Sequence, residues 1–231
     1  MLSVLVTGAN RGLGLEFTRQ YLDAGWRVIA TCRHPHDAPE LRDLAKRHEH
    51  LAIHALDVRT FTSIDQFASA LAGQPLDVLI NNAGVYGDEP GNGFGAIDYE
   101  LWQDVLRTNA MAPVKMAESF LPHLERGSRK LIVGITSLMG SMGDNTSGGA
   151  LYYRSSKAAL NATFKSLSLD LKPRGIGVLL LNPGWVQTDM GGPQAPTTAE
   201  RSVGGMRRII AEYTPALSGR LMNFDGRELP W

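Results

Sequence analysis

The chain has 231 residues, and its 23 basic and 23 acidic side chains give a formal net charge of zero at pH 7. A chain of this length fits one domain that buries about 70% of the surface exposed by its unfolded form. The balanced charge argues against nucleic acid or an anionic membrane as a partner, because both require a basic surface.

The single cysteine and the hydropathy pattern indicate a cellular compartment. Cys32 is the only cysteine, so no intrachain disulfide can form and a reducing compartment is favoured. No apolar run approaches the length of a membrane span, and the N-terminus lacks the basic segment and long apolar region of a secretory signal. We therefore expect a soluble, cytoplasmic protein without a membrane partner.

Apolar runs of strand length alternate with helical patterns along the whole chain. The predicted strands are Leu2–Val6, Arg27–Cys32, Leu51–Ala55, Val78–Asn81, Lys130–Ser137, Gly177–Asn182 and Gly219–Phe224. The predicted helices cover residues 13–24, 40–48, 62–72, 99–124, 151–171 and 198–213, and the last one is predicted to open with a capping box at Thr197–Glu200. This alternation predicts a single doubly wound α/β domain over residues 1–231, with a seven-stranded, mainly parallel sheet and helices on both faces.

A glycine-rich turn follows the first predicted strand at once. Residues Thr7–Gly14 read T-G-A-N-R-G-L-G, and helical periodicity begins after them. Glycines allow a tight turn and close backbone approach, and the amides at the start of a helix bind a pyrophosphate without a charged side chain. The segment therefore predicts the phosphate cradle of a dinucleotide site. The alternative, an ordinary glycine turn, is disfavoured by the flanking strand and helix.

Two loops rich in glycine or proline, Gly87–Gly95 and Pro183–Thr197, follow predicted strands. Ligands of parallel sheets bind beyond the carboxyl ends of the strands, so we expect both loops on the active side, with a substrate loop at about residues 183–213. Large apolar residues of this side either line a substrate pocket or pack in the core, and the sequence leaves both open. They are Met139, Met142, Met190, Met206, Tyr86, Phe94 and Trp185.

Tyr153 and Lys157 are four residues apart in a helical pattern, so they share one helix face. A cation close to a phenol favours the phenolate, so we expect the pKa of Tyr153 to be lowered toward neutrality, which makes it an acid/base group. The neighbouring Tyr152 has Ser156 at the same spacing and is predicted to pack in the core or to form a pocket wall.

Six motifs occur in a characteristic order along the chain. They are Thr7-Gly-x-x-x-Gly-x-Gly14, Asn81-Asn82-Ala83-Gly84, Asn109, Ser137, Tyr153-x-x-x-Lys157 and Pro183-Gly184-x-x-x-Thr188. Their order and spacing resemble the short-chain dehydrogenase/reductase family over essentially the whole chain. The loop after Gly84 and the ending Asn223–Trp231 are most similar to the C-factor/sniffer-like carbonyl reductases of that family.

The resemblance implies four catalytic residues. Tyr153 would exchange a proton with the substrate oxygen, Lys157 would lower the tyrosine pKa and bind the nicotinamide ribose, and Ser137 would hold the substrate oxygen. Asn109 would bend its helix to position a water for proton relay. From the residues alone, Thr136 and Ser141 compete with Ser137, and Asn109 also fits a polar residue that interrupts a helix.

The resemblance also implies a set of cofactor contacts. They are Gly8, Asn10, Arg11, Gly12, Leu13, Gly14, Arg33, Asp57, Val58, Asn82, Ala83, Gly84, Tyr153, Lys157, Pro183, Gly184, Val186 and Thr188. At the end of the second strand a carboxylate would favour NAD, but Cys32 stands there and Arg33 follows. Together with Arg11, Arg33 suits the 2′-phosphate of NADP(H), the cofactor that we expect. The alternative is that both arginines are merely solvated.

These observations predict an oxidoreductase that transfers a hydride between NADP(H) and a small-molecule carbonyl or alcohol substrate. The alternative is a nucleotide-binding signalling or regulatory protein of C-factor type with little catalytic role. A homodimer or homotetramer through helices 99–124 and 151–171 is expected from the family. The clustered histidines lack the spacing of a metal site, so we expect none. The sequence predicts neither the substrate nor the physiological direction.

Overall fold

The computed structural model, which describes residues 1–231, contains seven strands and eight α-helices. The strands are Ser3–Thr7 (β1), Arg27–Cys32 (β2), Leu51–Ala55 (β3), Val78–Asn81 (β4), Leu131–Ile135 (β5), Gly177–Asn182 (β6) and Leu221–Asn223 (β7). The helices are Gly12–Asp23 (α1), Pro39–Arg47 (α2), Phe61–Ala70 (α3), Tyr99–Leu106 (α4), Ala112–Ser119 (α5), Leu121–Arg126 (α6), Leu151–Asp170 (α7) and Ala199–Ala211 (α8).

All seven strands form one sheet in the order β3-β2-β1-β4-β5-β6-β7. Every pair of neighbours is parallel, so the sheet is fully rather than mainly parallel. The strand order reverses between β1 and β4, where the chain crosses from one half of the sheet to the other. This confirms the predicted doubly wound fold and leaves a crevice at the carboxyl ends of these strands.

Helices cover both faces of the sheet and form two apolar cores. Val4 and Val6 of β1 point toward α1, α2 and α8, while Leu5 between them points toward α3, α5 and α7. Since both faces are buried, the strands need apolar side chains at successive positions, which is the pattern seen in the sequence. None of the helices is both long and apolar enough to cross a membrane.

The predicted single helix 99–124 is wrong, because this stretch is divided into three helices. A π-helical turn, Arg107–Met111, separates α4 from α5, and α6 begins only at Leu121. Pro113 and Pro122 lie in the first turns of α5 and α6. A proline has no amide hydrogen to bond to the preceding turn, so it is tolerated at the start of a helix and interrupts a longer one.

Smaller differences of one or two residues occur at several other element ends. β5 begins at Leu131 because Lys130 adopts a left-handed backbone with φ of 50°, and β7 is shorter than predicted. The predicted capping box is wrong by one residue. Thr198, not Thr197, caps α8 by accepting a hydrogen bond from the amide of Arg201. Thr197 instead pairs with Val186 in the preceding loop.

Candidate active site

A cavity of about 990 Å³ lies at the carboxyl ends of the central strands, where the strand order reverses. The turn after β1, the Asn82–Gly84 segment after β4, Ser137 after β5 and the Pro183–Thr188 segment after β6 all line it. Every predicted catalytic or cofactor residue lines this cavity except Gly14 and Asn109. The topology therefore brings together motifs that are up to 180 residues apart.

Gly14 shapes the cradle without facing it. A Cβ on Gly14 would overlap the carbonyl oxygen of Gly8, which shows that α1 begins in direct contact with the preceding turn. Gly8 itself has a φ of 66° and packs against Ala83. Asn82 fastens this turn, since its Nδ2 donates to the carbonyl oxygens of Thr7 and Gly8 at 2.8 and 3.1 Å.

The N-terminus of α1 faces the cavity and is open to an anion. Gly12 and Leu13 of its first turn line the cavity, and the residue that precedes the helix, Arg11, provides no side-chain cap. The first turn carries no acidic residue. Unpartnered amides at a helix start carry partial positive charge, so this arrangement fits the pyrophosphate of a dinucleotide.

The two predicted phosphate-binding arginines differ in their surroundings. Arg33 lies on the cavity wall directly after β2, exposed and without an ion pair. Arg11 instead donates from Nη1 to Oδ2 of Asp189 at 2.6 Å, with both side chains about two-thirds exposed. This ion pair links the glycine-rich turn to the loop after β6. Arg33 is therefore the cation available to a ligand, and Arg11 has a competing partner.

Asp57, another of the predicted cofactor contacts, is also paired. Its carboxylate accepts hydrogen bonds from the guanidinium and the backbone amide of Arg59, with the closest guanidinium contact at 2.9 Å. The hydrogen bond from the Arg59 side chain lowers the pKa of Asp57. Asp57 and Val58 both line the cavity, and their contact with a cofactor stays a prediction.

Tyr153 and Lys157 lie one turn apart on α7 with their side chains directed into the cavity. Both are buried, and Tyr153 is only 9% exposed. Nζ of Lys157 donates a hydrogen bond to the carbonyl oxygen of Ile135 at 2.8 Å and lies 5.6 Å from the centre of the Tyr153 ring. The predicted pair thus shares one face of a helix beside β5.

The expected lowering of the Tyr153 pKa is wrong. Burial raises the pKa of Tyr153 to about 12, and the nearby hydroxyl of Ser137 only partly opposes this shift. Burial also lowers the pKa of Lys157 to about 8. Desolvation is the main cause of both shifts, and the ammonium hydrogen-bonds to Ile135 rather than to the phenol. At neutral pH the phenol therefore keeps its proton and is ready to donate it.

The hydroxyl of Ser137 interacts with the phenol of Tyr153, whereas its two rivals have other partners. Its Oγ accepts a hydrogen bond from the amide of Met139, which leaves the hydroxyl hydrogen for the cavity. Thr136 donates to Asn161 on α7 at 2.6 Å, and Ser141 donates to the carbonyl oxygen of Trp231. The geometry favours Ser137 over Thr136 and Ser141.

Asn109 occupies the middle of the π-helical turn, where the expected irregularity of its helix is found. Its Oδ1 accepts from the amide of Val85, and its Nδ2 donates to the carbonyl oxygen of Val85 and to Oγ of Ser156. The side chain therefore ties α7 to the loop after β4. Its part in a water relay stays a prediction.

Two residues of the segment after β4 touch Tyr153, and one of them, Asp88, is not among the predicted site residues. The ring of Tyr86 lies 5.0 Å from that of Tyr153, and the carboxylate of Asp88 accepts hydrogen bonds from the amides of Tyr152 and Tyr153. The sequence indicates the need for such a partner in one way only: Ala150, the residue before α7, has no side-chain oxygen with which to cap the helix. Tyr152 packs as predicted, fully buried against Trp102.

Several large apolar side chains also line the cavity. Four of the seven predicted apolar residues line it: Tyr86, Met139, Trp185 and Met190. Met206 lies in the core beneath α8 instead, and Met142 and Phe94 are exposed and lie outside the cavity lining. No group of three histidine, cysteine or acidic side chains is arranged to hold a metal ion.

The sequence matches the family model for short chain dehydrogenases over residues 3–199. Among curated proteins it is 46% identical to the C-signal of Myxococcus xanthus over 165 residues, which cover 71% of this chain and 98% of that protein.

Two solved structures are similar along the whole chain. The carbonyl reductase Sniffer of D. melanogaster is 37% identical with a TM-score of 0.94, and the match covers 100% of each chain. An NADPH-bound carbonyl reductase from chicken fatty liver is 37% identical with a TM-score of 0.92, over 99% of this chain and 98% of that one.

Proposed function

The chain belongs to the short-chain dehydrogenase/reductase family, and we propose that it is an NADP(H)-dependent oxidoreductase acting on a small-molecule carbonyl compound or the corresponding alcohol. One observation carries this proposal: the phenol of Tyr153 lies beside the hydroxyl of Ser137 in the cavity, with the ammonium of Lys157 one helical turn away. A binding protein has no chemical need for this arrangement.

The surroundings of the cavity support NADP(H) as the cofactor. The uncapped start of α1 fits the pyrophosphate, and Arg33 fits a 2′-phosphate at a position where no carboxylate would repel it. The similar carbonyl reductase from chicken fatty liver is NADPH-bound. When bound, the nicotinamide supplies or accepts the hydride, and the protein controls orientation and the proton.

In the proposed reaction Tyr153 donates its proton to the oxygen of the substrate carbonyl. Ser137 holds the same oxygen by a hydrogen bond, so the oxygen lies between two hydroxyl donors. With a pKa of about 8, Lys157 is mainly protonated at neutral pH and stabilises negative charge that develops on the phenol. A phenol with a pKa of about 12 carries its proton at neutral pH and can donate it to the substrate oxygen.

The remaining parts of the proposal concern assembly and location. We propose one catalytic domain over residues 1–231, with the segment 183–213 contacting the substrate through Trp185 and Met190. The exposed apolar side chains Tyr99 and Leu169 on α4 and α7 support a homodimer or homotetramer through these helices. A cytoplasmic location is consistent with the single, buried, unpaired Cys32.

A signalling role with little catalysis is the second candidate, and the similarity to the C-signal of Myxococcus xanthus favours keeping it. Oxidation of NADPH measured against a panel of aldehydes, ketones and quinones separates the two. The enzymatic proposal expects at least one carbonyl compound to be reduced by the wild-type protein and not by Tyr153→Phe. Tight NADPH binding without turnover on any member of the panel would favour the signalling role.

A further inference from the structure

The helix that carries Tyr153 begins without a cap of its own. The residue before α7 is Ala150, which has a left-handed backbone with φ of 45° and ψ of 50° and no side-chain oxygen. The first intrahelical hydrogen bond runs from the amide of Arg154 to Ala150. The amides ahead of Arg154 lack partners within the helix, so they need acceptors from elsewhere in the fold.

Asp88 supplies these acceptors from a loop more than 60 residues away in sequence. Its Oδ1 lies 3.1 Å from the amide nitrogen of Tyr152, and its Oδ2 lies 2.8 Å from that of Tyr153. A carboxylate at this end also interacts favourably with the helix dipole. One side chain therefore holds the backbone of the proposed proton donor directly.

The loop that presents Asp88 is itself fixed on both sides. Gly87 has a φ of 79° and packs so closely on α4 that a Cβ there would overlap Cγ2 of Val105. Ten residues after Asp88, the amide of Asp98 donates to the hydroxyl of Tyr152 at 2.7 Å. Tyr86 adds a ring contact to Tyr153. Because these contacts fix the loop, Asp88 can hold the first turn of α7 in a defined position.

We propose that Asp88 is a positioning residue for the proposed reaction, acting by holding the first turn of α7 so that the Tyr153 hydroxyl stays beside Ser137. This inference rests on the proposed function of Tyr153. Loss of the carboxylate frees two amides at the turn that carries the phenol, and a displacement of about 1 Å in an active site can lower the rate by about a hundredfold.

Asp88→Ala tests this role, with Asp98→Ala as the matched control. Asp98 is in the same loop and caps α4 by accepting from the amide of Leu101 at 3.0 Å, so both variants lose one aspartate cap. We expect similar losses of thermal stability in the two variants. Only Asp88→Ala should lower kcat, by about ten- to a hundredfold, with KM and the Kd for NADPH changed less than about twofold.

Hydrogen exchange of the unliganded protein gives a readout that does not depend on turnover. The amides of Tyr152 and Tyr153 should exchange at least about tenfold faster in Asp88→Ala and at the wild-type rate in Asp98→Ala. Asp88→Asn keeps one acceptor oxygen and should recover part of both kcat and protection. If Asp88→Ala does not fold, Asp88→Asn is used for both measurements in its place.

Equal losses of kcat in Asp88→Ala and Asp98→Ala, or wild-type kcat in Asp88→Ala and Asp88→Asn, would overturn the positioning role. Failure of the proposed function looks different, because the wild-type protein would then reduce no carbonyl compound at all. Unchanged amide exchange in Asp88→Ala would overturn the cap itself, whatever the activity.

Discussion

The ammonium of Lys157 lies 5.6 Å from the centre of the Tyr153 ring, and burial moves both groups toward their neutral forms. Lys157 has a pKa of about 8 and Tyr153 a pKa of about 12. The carbonyl oxygen of Ile135 is the hydrogen-bond partner of the ammonium. Burial of the Lys157 ammonium therefore carries a cost in folding stability that is related to its proposed role and can be measured by itself.

Lys157→Met should remove a pH-dependent term from the stability. The folded pKa of Lys157, about 8, lies below the value of about 10.4 expected in the unfolded chain, so between these values the unfolded state binds more protons. Wild-type stability should accordingly rise with pH from about 8 to about 10, relative to Lys157→Met, by on the order of 1–3 kcal/mol. Urea unfolding across this range measures the difference.

Lys165→Met is the matched control for this experiment, since Lys165 is exposed on the same helix. Its stability should follow the wild-type pH dependence. Parallel curves for wild type and Lys157→Met would show that Lys157 is not a buried cation. The comparison stays below about pH 10, because the raised pKa of Tyr153 makes stability fall with pH above that point.

Arg33→Ala should distinguish the two nicotinamide cofactors. Arg33 lines the cavity without an ion pair, so its removal should weaken NADPH binding by about ten- to a hundredfold while NADH binding changes by less than about twofold. Arg11→Ala should have a smaller effect, because Arg11 is paired with Asp189. Fluorescence titration with each nucleotide measures both constants.

Asp189→Asn tests whether Asp189 competes with the 2′-phosphate for Arg11. Without the carboxylate, Arg11 is available to the 2′-phosphate, and NADPH binding should tighten by about two- to fivefold with NADH unchanged. Equal losses of NADPH and NADH affinity in Arg33→Ala would contradict the assignment of Arg33 to the phosphate.

Gly14→Ala should damage the cradle although Gly14 does not line the cavity. The added methyl group would overlap the carbonyl oxygen of Gly8, so the turn must move, at a cost of about 1–3 kcal/mol and with loss of NADPH affinity. Gly204→Ala on α8 is the control, since its methyl group would meet only Oε1 of Gln20 at 3.9 Å and helix propensity favours alanine. Wild-type stability and affinity in Gly14→Ala would contradict the packing argument.

Local sequence pattern was sufficient for most of the sheet. Arg27–Cys32, Leu51–Ala55, Val78–Asn81 and Gly177–Asn182 were predicted with the bounds that they have in the structure. These strands are central or flanked by glycine and polar residues, so their ends are marked by composition. The division of helix 99–124 does not follow from hydrophobic periodicity, which continues through the stretch. Pro113, which lacks an amide hydrogen, is the residue in the sequence that indicates it.

In the candidate site, too, some residues could be predicted from the sequence and others could not. Residues that carry chemistry, such as Tyr153 and Ser137, have recognisable types and spacing. The partners that hold or oppose them depend on tertiary packing: Asp88 reaches the start of α7 from a distant loop, and Asp189 reaches Arg11 across 178 positions. The raised pKa of Tyr153 also depends on tertiary packing, because it results from burial, and the spacing of Tyr153 and Lys157 does not indicate how deeply they are buried.

Tyr153→Phe, assayed for NADPH binding and for turnover in the same preparation, tests the proposed chemistry most directly. The change removes one hydroxyl and keeps the ring that packs against Tyr86. Turnover on any carbonyl substrate should fall by about a thousandfold or more, while the Kd for NADPH changes by less than about twofold. Turnover close to that of the wild-type protein would contradict a proton donated by Tyr153.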